Sequence, residues 1–418
     1  MRYLVLALLA ALAPASAAYS GDIVQYWVEQ SGALVNGTTI GSLQSPVSAW
    51  YQAIVQAAVY EAAVKSRGES LAFQQLAVSH AAHNAILWAF HGTRIYNAAD
   101  AALRAVVPAI GLNVTSNDGK EAIRVGQDAA AKVARARAAD NIANFIDYVF
   151  APATPGVYQQ TPGSNPLPDV PQARFIAPFA ALGDITRFRA PPPPKTNSAE
   201  YETAVLYVKE YGSLNSTART AYDTDTAYFW RESSVTGWNR FAHSVVGIAL
   251  ATEVVESAKF YAQLNYALAN AGFASWDTKY AYNSWRPVTA IQRTADRWVA
   301  SGRDVSDAAW VPLLRPTPSH QDYVSTHSTF GGAAAAVLRA YNGGSDAVRA
   351  TLTSNVTIDA RGPITRQYSN LTVAALENAA SRVLGGIHFP FAGSAGVAVG
   401  DAVARATLKK FDEHWDEF

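Results

Sequence analysis

"SRVLGGIHF" (residues 381–389) sets an arginine and a histidine six positions apart, with two adjacent glycines between them. The segment reads as helix. On a continuous helix, six steps of 100° leave Arg382 and His388 about 120° apart around the axis, so they flank a common point rather than stack. Gly385 and Gly386 remove side chains between them and open the backbone to close approach. By itself the stretch is read more simply as a helix–helix contact at the glycines, with a surface arginine and a core histidine. Two further stretches change that reading.

"SWDTKYAYNSWRPV" (275–288) carries Lys279 and Arg286, seven positions apart. Seven helical steps return to nearly the same face about 10 Å further along, where two long cationic side chains can converge on one anion. Pro287 is expected to end or kink that helix just after Arg286. A lone pair of this kind is more often two solvated cations. "DYVSTHSTFGGAAAAVL" (322–338) reads as a buried helix starting within "VSTHST". A helix N-terminus offers unpaired N–H groups and the positive end of the dipole, hence an anion site. Ser325 there caps the helix or gives a hydroxyl to an oxyanion, and His327, one short turn inside, can titrate near neutrality. The plainer alternative is a serine cap followed by a core histidine.

Outward from these segments, helical periodicity dominates. Residues 48–66, 72–90 and 119–145 read as amphipathic or buried helices. A helix capped by Ser198 follows a loop-rich stretch, and the pattern continues through 220–285. An irregular region, 296–324, precedes the helix near Ser325. No sustained period-two run competes, so the expected fold class is all-α, built of helical bundles. Four consecutive prolines, 191–194, cannot continue a helix and form an extended connector. The expected organisation is a leader at 1–18, an N-terminal helical half at 19–150, a loop and Pro-rich connector at 151–197, and a C-terminal helical half at 198–418. A connector crossing one shared core fits equally well.

The leader is the basic Arg2, an apolar run and a small-residue "ASA" ending, the layout of a secretory signal peptide. No other segment is apolar enough to span a membrane. Sequons at Asn36, Asn113, Asn215, Asn355 and Asn370 agree with export as a glycoprotein. There is no cysteine, so neither disulfides nor thiol chemistry enter. With 33 basic and 33 acidic residues the net charge is zero, which argues against nucleic acid or an anionic membrane as partner. Nothing in the sequence specifies an oligomeric state.

Together the three segments offer three long cations, a hydroxyl, a helix N-terminus and two histidines, the set that a trianionic tetrahedral oxyanion requires. Arginine forks and a lysine neutralise the equatorial oxygens. One histidine can stand in line as ligand or nucleophile while the other exchanges a proton at the opposite apex.

The order is Lys279, six residues, Arg286-Pro287; then Ser325-Thr326-His327; then Ser381-Arg382, five residues, His388. It resembles the three-part signature shared by vanadium-dependent haloperoxidases and type 2 phosphatidic-acid phosphatases, with likeness over roughly residues 170–410, "FRAPPPP" and "GWNRFA" included. The resemblance implies a vanadium chloroperoxidase-like helical fold. It implies His388 as axial vanadium ligand or phosphate-accepting nucleophile, and His327 as the acid–base group. Lys279, Arg286, Arg382, Ser325 and the Thr326 N–H would hold the equatorial oxygens. Three positions depart from the family pattern. Thr326 stands where glycine is usual, Val324 where proline is common before the serine, and no aspartate follows the last histidine. A carboxylate partner for Arg382 or His327 is expected, with Glu232 as candidate.

One pocket of this kind serves two chemistries, because pentacoordinate vanadate has the geometry of phosphoryl transfer. With vanadate as cofactor, the expected reactants are hydrogen peroxide, a halide and an organic acceptor. With no cofactor, the substrate is a phosphate ester and the enzyme a secreted acid phosphatase. Trp276 matches an aromatic on the halide side of the fungal chloroperoxidase site, and His320 falls where bromoperoxidases carry histidine and chloroperoxidases phenylalanine. Both lean towards a haloperoxidase that favours bromide. An inactive relative or a natural-product-tailoring one remains a further alternative. A purely structural helical glycoprotein does not account for the three spaced segments. His80 and His83 are read as core or capping groups.

Overall fold

The structure, a computed structural model, describes residues 19, 21–35, 46–90, 93–144, 146–293, 298–354 and 362–418. The leader and the sequons at Asn36 and Asn355 lie outside the described residues. The architecture is helical: α1 (Ile23–Val35), α2 (Pro46–Lys65), α3 (Leu71–Ala89), α4 (Thr93–Ile110), α5 (Asn117–Arg137), α6 (Ala199–Tyr211), α7 (Ala221–Phe229), α8 (Ser234–Val246), α9 (Val254–Tyr282), α10 (Pro287–Gln292), α11 (Thr326–Tyr341), α12 (Leu371–Leu384) and α13 (Pro390–His414).

At the centre are α2, α9 and α11, each buried over most of its circumference. A helix apolar on all sides has no amphipathic stripe to present and belongs in the interior. The main apolar cluster runs from Ile23 to Phe411, and Phe179 and Ala180 of the connector join it. α11 and α13 cross so closely that a Cβ on Gly400 would stand 1.9 Å from the Thr329 carbonyl oxygen. That contact brings the start of α11 against the start of α13, between which the candidate site is built.

Local chemistry explains the helix ends. Ser198 Oγ accepts from Tyr201 N (3.2 Å), capping α6 as its sequence suggests. The 119–145 pattern stops at Arg137, eight residues early. Asp140 folds back onto the Arg137 guanidinium (2.7 Å) and the Trp50 indole N–H, and Asn141 takes a left-handed conformation that ends the turn. The long run through 237–285 is broken at Gly247 (φ 56°).

A hairpin, β1 (Ala347–Thr353) and β2 (Thr365–Asn370), pairs antiparallel where no strand was expected. Its strands are short, and only Ala350 and Leu352 on β1 and Arg366 and Tyr368 on β2 turn inward. Glu377 of α12 anchors it, accepting from Tyr368 Oη (2.6 Å) and Trp230 Nε1 (3.0 Å) and pairing with Arg366 (2.7 Å). Outside the site, His83 Nε2 meets Asp100 (2.7 Å), and burial pushes His80 down to about 4. No helix among the described residues is long and apolar enough to cross a membrane.

Candidate active site

Lys279 lies on the last turns of α9, fully buried. The helix does not reach Arg286 as its spacing suggested. It ends at Tyr282, Asn283 adopts a left-handed conformation (φ 47°), and Arg286 becomes the residue before α10, with Pro287 at the first helical position. The two cations are therefore brought together by a chain reversal and not by one helical face. Lys279 Nζ donates to the carbonyls of Gln321 (2.7 Å), Asp322 (3.2 Å) and Val324 (2.5 Å), tying the 321–324 loop to α9. Burial, with Arg286 beside it, drives its ammonium well below the usual lysine range.

The Arg286 guanidinium is turned inward. Its Nε donates to the His320 carbonyl (2.6 Å), Nη2 to His320 Nδ1 (2.9 Å), and Nη1 to the Ile387 carbonyl (2.6 Å) and to His388 Nε2 (2.9 Å). Burial lowers it to about 10. The His320 ring packs 4.9 Å from the Trp276 ring, whose Nε1 donates to the Asp169 carbonyl (3.2 Å). Burial, then Lys279 and Arg286, hold His320 neutral.

The opening stretch proves not to be one helix. α12 ends at Leu384, and Gly386 takes φ 75°, a conformation that an L side chain rarely adopts. Ile387 N donates to the Arg382 carbonyl (3.1 Å) and Gly386 N to that of Val383 (2.9 Å), a Schellman closure that throws His388 beyond the helix. The glycines do allow close packing, but against loops: a Cβ on Gly386 would lie 2.3 Å from the Gly212 carbonyl oxygen, and one on Gly385 2.6 Å from Leu314.

Arg382 sits in the last turn of α12, 3% exposed. Its Nη1 approaches the Trp230 carbonyl at 3.4 Å, while its Nε is buried with no hydrogen-bond partner. Burial, then Arg286 and Arg231, lowers it to about 9. It lines the floor of a cleft of about 480 Å³, walled by Pro316, Pro318, Arg315 and Glu232, which leads inward from the surface. His327, second residue of α11, donates from Nε2 to the Glu232 carbonyl (3.2 Å). Burial, then Arg382, holds it neutral.

Ser325 is the N-cap residue of α11, yet its hydroxyl makes no capping bond and accepts from Ser328 Oγ (2.9 Å). Thr326, the first helical residue, directs its hydroxyl to Ser275 Oγ of α9 (2.5 Å) and needs no unusual backbone angle. The Glu232 carboxylate is held by Arg240 (2.5 Å), and its backbone carbonyl is what meets His327.

The carboxylate at the centre comes from a residue that sequence reasoning passed over. Asp322, fully buried, accepts at Oδ1 from His388 Nδ1 (2.8 Å) and Phe389 N (3.3 Å). Burial raises it to about 7 against the pull of Arg286 and Lys279, and the His388 imidazole facing it stays neutral. Asp322 stands three residues before Ser325, but 66 before its partner, and no local pattern announces such a contact.

Charge explains what this arrangement can hold. The hydrogen-bond partners of Lys279, Arg286 and Arg382 among the described residues are neutral carbonyls and imidazole nitrogens. Asp322, and for Arg286 also Asp169, offsets part of the charge of Lys279 and Arg286, while Arg382 is acted on only by other cations and its Nε is a buried donor with nothing to donate to. With the Ser325 hydroxyl and the N–H groups at the start of α11, the donor set fits a polyanionic oxyanion.

Comparison with known proteins agrees. Residues 259–417 match the family model of the VCPO second helical-bundle domain. The vanadium chloroperoxidase of Curvularia inaequalis is 27% identical over 308 residues, 57% of this chain and 50% of that protein, so the match spans about half the relative's length. A bacterial vanadium-dependent iodoperoxidase superposes with a TM-score of 0.76 at 21% identity, over 93% of this chain and 96% of that one. The holo form of a bacterial vanadium-dependent chloroperoxidase gives 0.74 at 19%, over 94% and 98%. In its second half the chain is similar in sequence to the VCPO second helical-bundle domain, and over most of its length it shares the fold of the solved vanadium-dependent haloperoxidases.

Proposed function

We propose that the protein is a vanadate-dependent haloperoxidase that oxidises halide, bromide in preference to chloride, with hydrogen peroxide. The observation that carries this reading is the buried cation set with its unpaired Arg382 Nε, facing a neutral His388. His388 Nε2 would ligate vanadium. Arg286 and Arg382 would hold its oxygens with Ser325 Oγ and the Thr326 N–H, and Lys279, whose protons already serve carbonyls, would contribute mainly its field. Bound vanadate supplies Lewis-acid activation of the peroxide. The net change is H₂O₂ + Br⁻ + H⁺ → HOBr + H₂O.

His327 donates from Nε2 to a carbonyl, so Nδ1 carries its lone pair and is the atom that would take the peroxide proton. Burial supports that role by keeping the ring neutral. Both His320 ring nitrogens lie near Arg286 Nη2, Nδ1 also meets the Gln321 carbonyl (3.2 Å), and the ring lies beside Trp276, where it offers a polar edge to a halide. A polar ring there, in place of phenylalanine, supports bromide. The leader and the exposed sequons at Asn113 and Asn215 support export as a glycoprotein.

The test is bromide- and peroxide-dependent halogenation of a phenol dye by the purified protein, with and without orthovanadate. Vanadate-stimulated bromination, lost in His388→Ala and slowed in His327→Ala with anion binding spared, is expected. Phosphate-ester hydrolysis that vanadate inhibits would instead assign the site to a phosphatase.

A further inference from the structure

Histidine offers two ring nitrogens, and a ligand or nucleophile must present the right one unprotonated. His388 Nε2 faces Arg286 Nη1 at 2.9 Å. A guanidinium only donates, so Nε2 is the acceptor and the ring proton of the neutral imidazole sits on Nδ1. Nδ1–H then donates to Asp322 Oδ1 at 2.8 Å.

We propose that Asp322 is the positioning residue for His388: its carboxylate selects the Nδ1–H tautomer and orients the ring so that the Nε2 lone pair points into the oxyanion site. This rests on the reading of His388 as the ligating residue.

The grip is two-sided. Asp322 Oδ1 also accepts from Phe389 N (3.3 Å), so one oxygen fixes both the imidazole and the main chain that carries it. Asp322 is itself immobile: its N–H donates to the Ser284 carbonyl (3.0 Å), and its own carbonyl accepts from Lys279 Nζ (3.2 Å). The next residue, Tyr323, donates from Oη to the Pro191 carbonyl (2.7 Å), which clamps the loop against the proline connector. One residue thus joins the lysine, the loop before α11 and the histidine after α12. Carboxylates behind metal-binding histidines set ring tautomer and orientation, and their loss weakens binding by roughly 10- to 100-fold.

The experiment uses the full chain labelled with ¹⁵N-histidine, in buffer free of phosphate and vanadate. Long-range ¹H–¹⁵N correlation reads the tautomer of His388, assigned with His388→Gln. Orthovanadate affinity is then measured by equilibrium dialysis for wild type, Asp322→Asn and Asp322→Leu. The wild type is expected to show the proton on Nδ1. Asp322→Asn keeps an acceptor of the same shape and should retain that tautomer and most of the affinity. Asp322→Leu leaves Nδ1–H without its acceptor, frees the ring to reorient, and should shift the His388 ring signals and weaken vanadate binding by roughly tenfold or more.

A proton on Nε2 in the wild type overturns the proposal, even if the leucine variant does not fold. So does an Asp322→Asn loss as large as that of leucine, which would reduce the residue to a counter-charge. Wild-type protein that shows the Nδ1–H tautomer but binds no vanadate would instead sink the functional reading and leave the tautomer assignment standing.

Discussion

Arg382→Met separates the two consequences of burying an unpaired cation. Methionine has similar length and flexibility but no charge, so it removes the guanidinium without opening a large cavity. In the oxyanion-free protein burial lowers Arg382 by more than three units from the ordinary arginine value, to about 9. At 1.36 kcal/mol per unit, that corresponds to at most about 5 kcal/mol against the folded state at neutral pH. The cost is fully present below pH 9, because the unfolded chain holds this proton more tightly than the folded one does. Replacing a buried charge by an apolar isostere typically recovers about 1–4 kcal/mol. The variant should therefore unfold at higher temperature than wild type when no anion is present. Binding should move the other way. Charge-assisted hydrogen bonds contribute about 1.5–3 kcal/mol, so orthovanadate affinity should fall roughly 10- to 150-fold. Calorimetry with and without orthovanadate reads both effects, and the order of the two midpoints should invert on saturation. A variant that is less stable than wild type without the anion, or that binds vanadate as tightly, would refute the reasoning.

Acid should destabilise the oxyanion-free protein through its buried histidines. His320, His327 and His388 are held well below 6.5, so the unfolded chain binds more protons as pH falls past that value, and these three outweigh Asp322, which is raised to about 7 and acts in the opposite sense, so stability declines from there downwards. Thermal midpoints at pH 8 and pH 5 should differ accordingly, and saturating phosphate should narrow the gap; equal midpoints would contradict it. Thr326→Gly should weaken vanadate binding and cost about 1–3 kcal/mol of stability, since it strands the Ser275 hydroxyl that now meets Thr326 Oγ1. Tighter binding would mean that the threonine merely crowds the site. Glu377→Gln should destabilise the fold by about 3–5 kcal/mol, because Arg366 loses its buried partner and two tyrosines and Trp230 lose a charged acceptor. Hydrogen exchange at β1 and β2 should quicken first.

Much of the molecule was legible locally. The helices α2, α3 and α11 follow from runs of helix-favouring residues, and Ser198 caps α6 as its position suggests. These depend on interactions within four residues, which sequence spacing encodes directly. The identities of Lys279, Arg286, Ser325, His327, Arg382 and His388 were likewise readable as a spaced set. Helix termini were harder. Arg286 leaves α9 because inward carbonyls and His388 Nε2 capture its guanidinium, a competition that no helical period records.

By itself, then, the sequence determined the helical class and the core helices, and it supplied the candidate side chains of the site. Only the tertiary structure decided their partners. It placed Asp322 on His388, gave the Glu232 carboxylate to Arg240, bound Lys279 to three carbonyls and turned Thr326 towards Ser275. The physical reason is distance along the chain. Apart from the Glu232–Arg240 pair, which is local to α8, each of those contacts joins distant segments brought together by the tertiary packing, and within so dense an interior a donor takes whichever acceptor the packing delivers.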